Sequence, residues 1–157
     1  MAKMKGPDRV RMALKAVGLD CGVLTLPGST RTAAEAAEAV GCTVGEIAKS
    51  LVFRAGEGAV VAVMSGDHRL DTDKLGAVLG ESVSRADADF VRAATGFAIG
   101  GVPPLGHATP IPVFMDAGLF RFERIWAAAG SPFSVFAVEP ARLRDAGGAT
   151  VADLKVE

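Results

Sequence analysis

Cysteine and histidine are scarce in this chain of 157 residues. It contains two cysteines, Cys21 and Cys42, and two histidines, His68 and His107, and no CxxC pair occurs. Zinc sites and disulfide frameworks need clustered cysteine and histidine at regular spacings, so the sequence excludes both. Two isolated thiols are typical of a reducing compartment, and we expect a cytoplasmic protein. We expect no metal ion and no other cofactor.

Long apolar runs and a strong charge bias are also lacking. No run approaches the roughly 18 residues that cross a bilayer, and residues 1–15 carry basic side chains without the apolar stretch of a secretory signal. We therefore expect no membrane partner. The formal net charge is −1, so any attraction to nucleic acid must come from a local patch. The length fits a single domain over residues 1–157.

The common catalytic motifs are absent. The chain has no GxSxG nucleophile elbow, no HExxH zinc motif and no phosphate-binding Walker loop. A Ser/His/Asp triad could combine Ser65 or Ser131 with a histidine, but nothing in the sequence fixes their relative positions. An anchored side-chain nucleophile is therefore not predicted.

Apolar periodicity predicts a mixture of helices and strands. Helices are expected at 7–17, 32–40, 71–79, 87–95 and 140–146, with a helical turn at 43–48. Strands are expected at 23–26, 49–54, 59–64, 111–116, 124–128 and 133–138, and the glycine-containing link at 55–58 predicts a hairpin. Because strands follow one another in the second half, we predict an α+β fold: a mixed, mostly antiparallel curved sheet surrounded by helices.

The most unusual stretch is the loop within Ala93–His107. Gly100 and Gly101 allow the main chain to approach a ligand closely, because glycine has no Cβ. Pro103 and Pro104 then fix φ at two successive residues and remove both amide donors. Such a segment is either a stiff loop that presents its remaining N–H groups to a bound oxygen or a tight connector between strands.

Three groups of cations are candidates for contacts with phosphate. Lys49 opens a predicted strand, where a lysine either improves solubility or supplies a point charge to a phosphate or carbonyl oxygen. The N-terminal helix and the residues before it are basic, and either form a solvated helix face or contact phosphate: Lys3, Lys5, Arg9, Arg11 and Lys15. Lys74 flanks the apolar face of a later helix and either faces solvent or adds a second cation to the site.

Several segments together resemble the YbaK/prolyl-tRNA synthetase-associated domain family. They are IAKSLVF at 47–53, SGDHRLD at 65–71 and ATGFAIGGVPPLGH at 94–107. The resemblance runs from about Pro7 to Leu154. It implies a mixed sheet with surrounding helices and a free-standing enzyme that hydrolyses the ester of wrongly charged tRNA. The implied partners are aminoacyl-tRNA and prolyl-tRNA synthetase.

The resemblance also implies the site residues. Lys49 matches the family's site lysine near the scissile ester or terminal phosphate, and Gly101 belongs to the loop that holds the terminal adenosine and the aminoacyl carbonyl; both are expected to be catalytic. Expected substrate contacts are Ser50, Phe53, His68, Ile99, Gly100, Val102, Pro103, Pro104, Asp116, Ala128, Gly130 and Ser131. Expected tRNA contacts are Arg11, Lys15 and Lys74.

The identity of the substrate follows from a departure from the family pattern. Some members carry a histidine on a late strand that selects the amino acid, and the comparable stretch 126–131 has none. This resembles branches that act on Cys-tRNA(Pro) or have a broader range, so we expect tRNA(Pro) carrying Cys, Ala or another small amino acid.

The chemistry expected from these residues is simple. Water or a substrate group attacks an ester carbonyl that backbone amides polarise, and Lys49 adds charge stabilisation or anchors a phosphate. Two alternatives stay open at this point. One is a non-catalytic module that binds tRNA or a nucleotide in the same pocket. The other is a metabolic hydrolase of small esters, which would not need a basic N-terminal helix.

Overall fold

The computed structural model describes residues 5–157, and all structural statements concern these residues. The five α-helices are α1 (Gly6–Ala16), α2 (Ala33–Val40), α3 (Thr72–Leu79), α4 (Ala88–Thr95) and α5 (Pro140–Gly147). The eight strands are β1 (Val23–Thr25), β2 (Ile47–Ala55), β3 (Gly58–Ser65), β4 (Ser84–Arg85), β5 (Val113–Asp116), β6 (Ile125–Ala128), β7 (Ser134–Val138) and β8 (Thr150–Ala152). Short 3₁₀ helices occupy Val44–Glu46 and Ala117–Arg121. None of the described helices has the length and apolar character needed to cross a membrane.

The strands form one mixed sheet in the order β1-β7-β6-β2-β3-β5-β8, and β4 adds to β2 off this path. The pairs β1/β7, β6/β7, β2/β3 and β2/β4 are antiparallel, whereas β2/β6, β3/β5 and β5/β8 are parallel. The α+β class and the mixed sheet are therefore confirmed. The predicted hairpin is confirmed as well, because Lys49 pairs with Met64 and Arg54 with Ala59.

The sheet carries apolar side chains on both faces, because the strands of the β2/β3 hairpin alternate. Val61 and Val63 join the larger core, which also contains α1, α4 and α5 side chains. Val60 and Met64 point to the other face, where Leu75 of α3 completes a second core. The alanine-rich α2 packs in a third cluster around Ile47 at the start of β2.

Helix starts are fixed by local capping hydrogen bonds. The Oγ1 of Thr32 accepts a hydrogen bond from the N–H of Glu35 at 3.1 Å and donates to Glu35 Oε1 at 3.0 Å, which fixes the first turn of α2. Asp71 caps α3 through the N–H of Asp73 at 2.9 Å. These caps were readable because they use local spacing only.

The helical turn expected at 43–48 is too long. Its 3₁₀ helix ends at Glu46, and the next two residues already belong to β2, where Ile47 pairs with Trp126 and Ala48 pairs with both Ala127 and Ser65. Pairing on both sides holds these residues extended. Lys49 is therefore the third residue of its strand and not the first.

Candidate active site

The site forms where β2 loses its neighbour on one edge. Strand β3 accompanies β2 along its whole length. On the other edge, β6 pairs only with Ile47 and Ala48, and β4 pairs only with Phe53 and Arg54. Within the described residues, no strand pairs with residues 49–52 on this side. The sheet is thus open beside the middle of β2.

The main chain of Ser50 points into this opening. The N–H of Gly66 donates to the carbonyl oxygen of Ile47 at 2.8 Å, so Ile47 directs its main-chain groups toward β3. Successive residues of a strand direct these groups to opposite edges. The N–H and C=O of Ser50, three residues further on, therefore point away from β3. They are available to a ligand in the opening.

A cavity of about 450 Å³ surrounds this open edge. Seven alanines line it, and these small side chains leave the space that larger ones would fill: Ala33, Ala36, Ala48, Ala88, Ala98, Ala127 and Ala128. A smaller cavity of about 200 Å³ adjoins it, and Ser50, Leu51, Ile99, Gly100 and Val102 contribute to both. The larger volume lies within the range of small-molecule sites.

Lys49 and Ser50 border the larger cavity from opposite faces of β2. Lys49 lies on the face of Ile47 and Leu51, and Ser50 lies on the face of Ala48 and Val52, because strand side chains alternate. Lys49 is half-buried, and no carboxylate oxygen of residues 5–157 lies within 4.0 Å of its ammonium group. It is a cation whose charge is left for a ligand.

The Ser50 hydroxyl is unusual among the buried polar groups. Its Oγ is buried and has no hydrogen-bond partner among the described residues. Leaving a buried hydroxyl unpaired costs about 1–3 kcal/mol, so such groups are rare in folded proteins. Ser50 as a residue lines the same cavity as Lys49, which points to a role with a bound molecule.

The glycine-proline loop closes the cavity, and its residues differ in what they do. Ile99, Gly100 and Val102 line both cavities, and Gly100 has a φ of +94° that favours glycine. Gly101 does not line either cavity. A Cβ on Gly101 would meet Ser131 N at 2.8 Å, so this glycine packs against the β6–β7 turn.

Four further loop residues expected to touch substrate support the cavity from behind. Gly130 donates its N–H to the carbonyl oxygen of Gly101 at 2.9 Å, and Ser131 shares a hydrogen bond of 2.8 Å with Ser134. Pro103 and Pro104 are buried beyond the cavity lining. None of these four residues lines either cavity. Of the remaining expected contacts, Ala128 lines the larger cavity and Phe53 the smaller one.

His68 and Asp116 lie in a separate polar cluster, outside both cavities. His68 Nδ1 is 2.6 Å from Asp116 Oδ2, and the other Asp116 oxygen accepts from the N–H of Gly118 at 3.0 Å. Ser65 donates its hydroxyl to the carbonyl oxygen of Gly45 and makes no contact with His68 that would complete a triad. The resemblance suggested substrate contacts here, but His68 Nδ1 and both Asp116 oxygens form hydrogen bonds within the fold, and neither residue lines either cavity.

An adjoining ion pair completes this cluster. Arg121 donates to Asp67 at 2.9 Å, and this bond lowers the pKa of the Asp67 carboxyl below its usual value. The carboxylate is therefore ionised at neutral pH and neutralises the guanidinium. The cluster ties the β3–α3 turn to the 3₁₀ helix after β5.

Two of the three cations expected to contact tRNA form ion pairs with carboxylates of the fold. Arg11 forms an ion pair with Asp8 at 2.6 Å. Lys74 donates to Asp153 at 3.1 Å, and this hydrogen bond raises the pKa of the lysine. Lys15 is exposed at the last turn of α1. Lys3 lies outside the described residues.

Two arginines that the sequence did not single out border the cavities instead. Arg31 lines the larger cavity and Arg85 the smaller one, and no carboxylate oxygen of residues 5–157 lies within 4.0 Å of either guanidinium. Neither cavity is lined by a described aspartate, glutamate or histidine. A cleft of one charge sign attracts an anion. Arg31 stands in the connection between β1 and α2, and Arg85 in the two-residue strand β4. Neither segment is long enough to show periodicity, so only the folded chain reveals these arginines.

Comparison with known proteins agrees with this architecture. The family model of the aminoacyl-tRNA editing domain matches residues 28–146. The uncharacterized protein YwhH of Bacillus subtilis is 35% identical over 118 residues, which cover 74% of this chain and 75% of YwhH. A proline--tRNA ligase of Thermosipho africanus is 35% identical over 92 residues, 58% of this chain and 16% of the ligase.

A solved structure is similar over nearly the full length. It is described as a proposed trans-editing enzyme for prolyl tRNA synthetase, and it has a TM-score of 0.93 and 45% sequence identity, with 99% of this chain and 100% of that chain covered. The family match spans both β2 and the glycine-proline loop, the two elements that build the cavity. The chain belongs to the aminoacyl-tRNA editing domain family.

Proposed function

We propose that the protein hydrolyses the ester bond of mischarged aminoacyl-tRNA, and that its substrate is tRNA(Pro) carrying Cys, Ala or another small amino acid. The observation that carries the proposal is that the neighbours Lys49 and Ser50 line one cationic cavity at the open edge of β2. Within residues 5–157, the Lys49 ammonium has no carboxylate partner and the Ser50 Oγ has no hydrogen-bond partner. Membership of the editing-domain family supports the reaction class. Similarity to a part of a proline--tRNA ligase and to a proposed trans-editing enzyme supports tRNA(Pro).

The ester carbonyl oxygen would bind at the open edge of β2. There the N–H of Ser50 donates a hydrogen bond to it, and the Lys49 ammonium stabilises the negative charge that develops as the carbonyl carbon is attacked. Prearranged donors of this kind contribute on the order of 3–4 kcal/mol each to the stability of the transition state. The cavity walls hold the ester in place, which adds a proximity effect.

Water completes the reaction, and the Ser50 hydroxyl orients it. The water oxygen forms a bond to the carbonyl carbon, and the bond from that carbon to the ribose oxygen then breaks. The water proton passes to the departing ribose oxygen through the neighbouring ribose hydroxyl, since no described carboxylate or imidazole lines the cavities. The products are the free amino acid and tRNA with both terminal hydroxyl groups restored.

The test is a deacylation panel. The purified protein is incubated with tRNA(Pro) charged with Cys, Ala, Ser, 2-aminobutyrate or Pro, and release of the amino acid is measured beside reactions without protein. We expect at least one small noncognate ester to be hydrolysed about tenfold faster than Pro-tRNA(Pro), a difference of about 1.4 kcal/mol in the barrier. Hydrolysis of Pro-tRNA(Pro) at an equal rate contradicts an editing role.

Two further outcomes separate the alternatives. Tight binding of charged tRNA without hydrolysis of any ester would identify a non-catalytic binding module. Equal hydrolysis of simple alkyl esters of the same amino acids would identify a hydrolase of small esters, because such a protein has no use for the nucleotide end.

A further inference from the structure

The larger cavity contains two cations at different depths. Lys49 projects from the middle of β2 and is half-buried. Arg31 lies in the connection between β1 and α2 and is exposed. Both line the same cavity, and neither has a carboxylate oxygen of residues 5–157 within 4.0 Å. A ligand that enters the cavity therefore passes Arg31 before it reaches Lys49.

The stem of Arg31 is held against the glycine-proline loop. A Cβ on Gly100 would stand 3.0 Å from Arg31 Cγ, so the glycine makes room for this side chain. The following residue, Thr32, caps α2, whose first turn also lines the cavity. Arg31 is thus an exposed cavity-lining residue two positions before the first residue of α2, and planar guanidinium groups bind phosphate through two parallel hydrogen bonds.

The ester and the phosphate of the substrate must also lie at two different depths in the cavity. In aminoacyl-tRNA, the ester and the phosphate sit on opposite sides of the terminal ribose. The ester must reach the buried groups of β2, whereas the phosphate leads to the rest of the tRNA and must stay at the mouth. We propose that Arg31 binds the phosphate on the 5′ side of the terminal adenosine, which leaves Lys49 to the ester. This assignment rests on the proposed function.

Binding of the phosphate to Arg85 would place the substrate in the opposite direction. Arg85 borders the smaller cavity, whose volume of about 200 Å³ is below the usual range for small-molecule sites. This cavity fits an acyl side chain better than a nucleoside. With the phosphate on Arg31, the acyl group lies toward the wall that the two cavities share. With the phosphate on Arg85, the substrate would run in the reverse direction.

Two minimal esters test the proposal by kinetics. One is the 3′ aminoacyl ester of adenosine, and the other is the same ester of adenosine 5′-monophosphate. We expect the wild-type protein to prefer the phosphorylated ester by about tenfold in kcat/KM, as one charge-assisted contact allows. Arg31→Ala should abolish this preference by lowering kcat/KM on the phosphorylated ester to the value of the unphosphorylated one. Arg31→Lys should keep part of it.

Matched variants show which cation binds the phosphate. Arg85→Ala and Arg11→Ala should keep the preference, and Lys49→Ala should slow both esters equally. With a tRNA substrate, Arg31→Ala should also reduce the slope of log KM against log salt by about 0.7, the value for one single-strand phosphate. A preference that survives in Arg31→Ala, or that disappears in Arg85→Ala, overturns the proposal.

Binding without hydrolysis gives an independent measurement. Trp126 is the only tryptophan of the chain and lines the same cavity, so its fluorescence reports on ligands there. We expect adenosine 5′-monophosphate to bind about tenfold more tightly than adenosine, and Arg31→Ala to remove the difference. Equal binding by the wild-type protein overturns the proposal. A preference that depends on Arg31 in a protein that hydrolyses neither ester supports the phosphate site and refutes the deacylase function.

Discussion

The main chains of Gly101 and Ser131 are in direct contact, since a Cβ on Gly101 would stand 2.8 Å from the Ser131 nitrogen. The N–H of Gly130 donates to the carbonyl oxygen of Gly101 at 2.9 Å across the same contact. The glycine-proline loop is therefore attached to the β6–β7 turn, and its neighbours Gly100 and Val102 are held along the cavity.

Gly101→Ala should consequently destabilise the protein. The new methyl group meets main-chain atoms, which cannot rotate away, and overpacking of this kind costs about 1–3 kcal/mol. Chemical denaturation measures the change in the free energy of unfolding. Gly28→Ala is the control, because no atom lies within 4 Å of its added Cβ. An unchanged stability of Gly101→Ala would show that the two segments are not in contact.

Lys49→Ala should lower the rate of deacylation by at least about tenfold, or about 1.4 kcal/mol of transition-state stabilisation. The thermal midpoint should move little, because Lys49 has no ion pair with a described carboxylate that the substitution would break. Single-turnover kinetics on the preferred charged tRNA measure the rate. Lys155→Ala, which removes an exposed lysine that lines neither cavity, should leave it unchanged. Full activity in Lys49→Ala would exclude the lysine from the reaction.

Much of the fold could be predicted because it depends on the spacing of residues close together in the sequence. The site could not be predicted, because it depends on pairing between strands that are distant in the sequence. The cap of Thr32 and the alternation of Leu51 and Val52 depend on residues a few positions apart, so the local pattern encodes the helix at 32–40 and the strand at 49–54. The open edge of β2 depends on where β6 and β4 stop pairing, which no local pattern encodes. The cavity position of Arg31 was hidden for the same reason. Conversely, the resemblance led to His68, which the fold uses in a cluster with Asp116.

The stability of the loop should depend on pH through His107. Burial lowers the pKa of this imidazole, although its Nε2–H donates to the carbonyl oxygen of Pro103 at 2.8 Å. Between this lowered pKa and the unfolded value of about 6.5, the unfolded chain binds more protons than the folded protein. The free energy of unfolding therefore falls as the pH decreases through this window.

His107→Gln should flatten that dependence. Glutamine keeps a donor for Pro103 but does not titrate, so its stability should change less between about pH 7.5 and pH 5. Denaturant titrations of both proteins at a series of pH values provide the comparison. Identical pH dependence in the two proteins would mean that the His107 imidazole is accessible to protons in the folded state.

Ser50 should show opposite effects on stability and on activity. Its buried Oγ has no partner among the described residues, and an unsatisfied buried polar group costs about 1–3 kcal/mol. Ser50→Ala removes this cost, so the free energy of unfolding should rise by about 1 kcal/mol. The same change removes the hydroxyl that we propose orients water, and in that case the rate of deacylation should fall by about tenfold or more.

A second buried serine provides the matched control for this substitution. Ser134 is 1% exposed, but its hydroxyl is paired with that of Ser131 at 2.8 Å, and it lines neither cavity. Ser134→Ala should therefore lower stability by about 1 kcal/mol and leave the rate of the folded protein unchanged. Denaturation and single-turnover kinetics on both variants form one experiment. A loss of stability in Ser50→Ala would mean that its hydroxyl has a structural partner, and an unchanged rate would remove it from the mechanism.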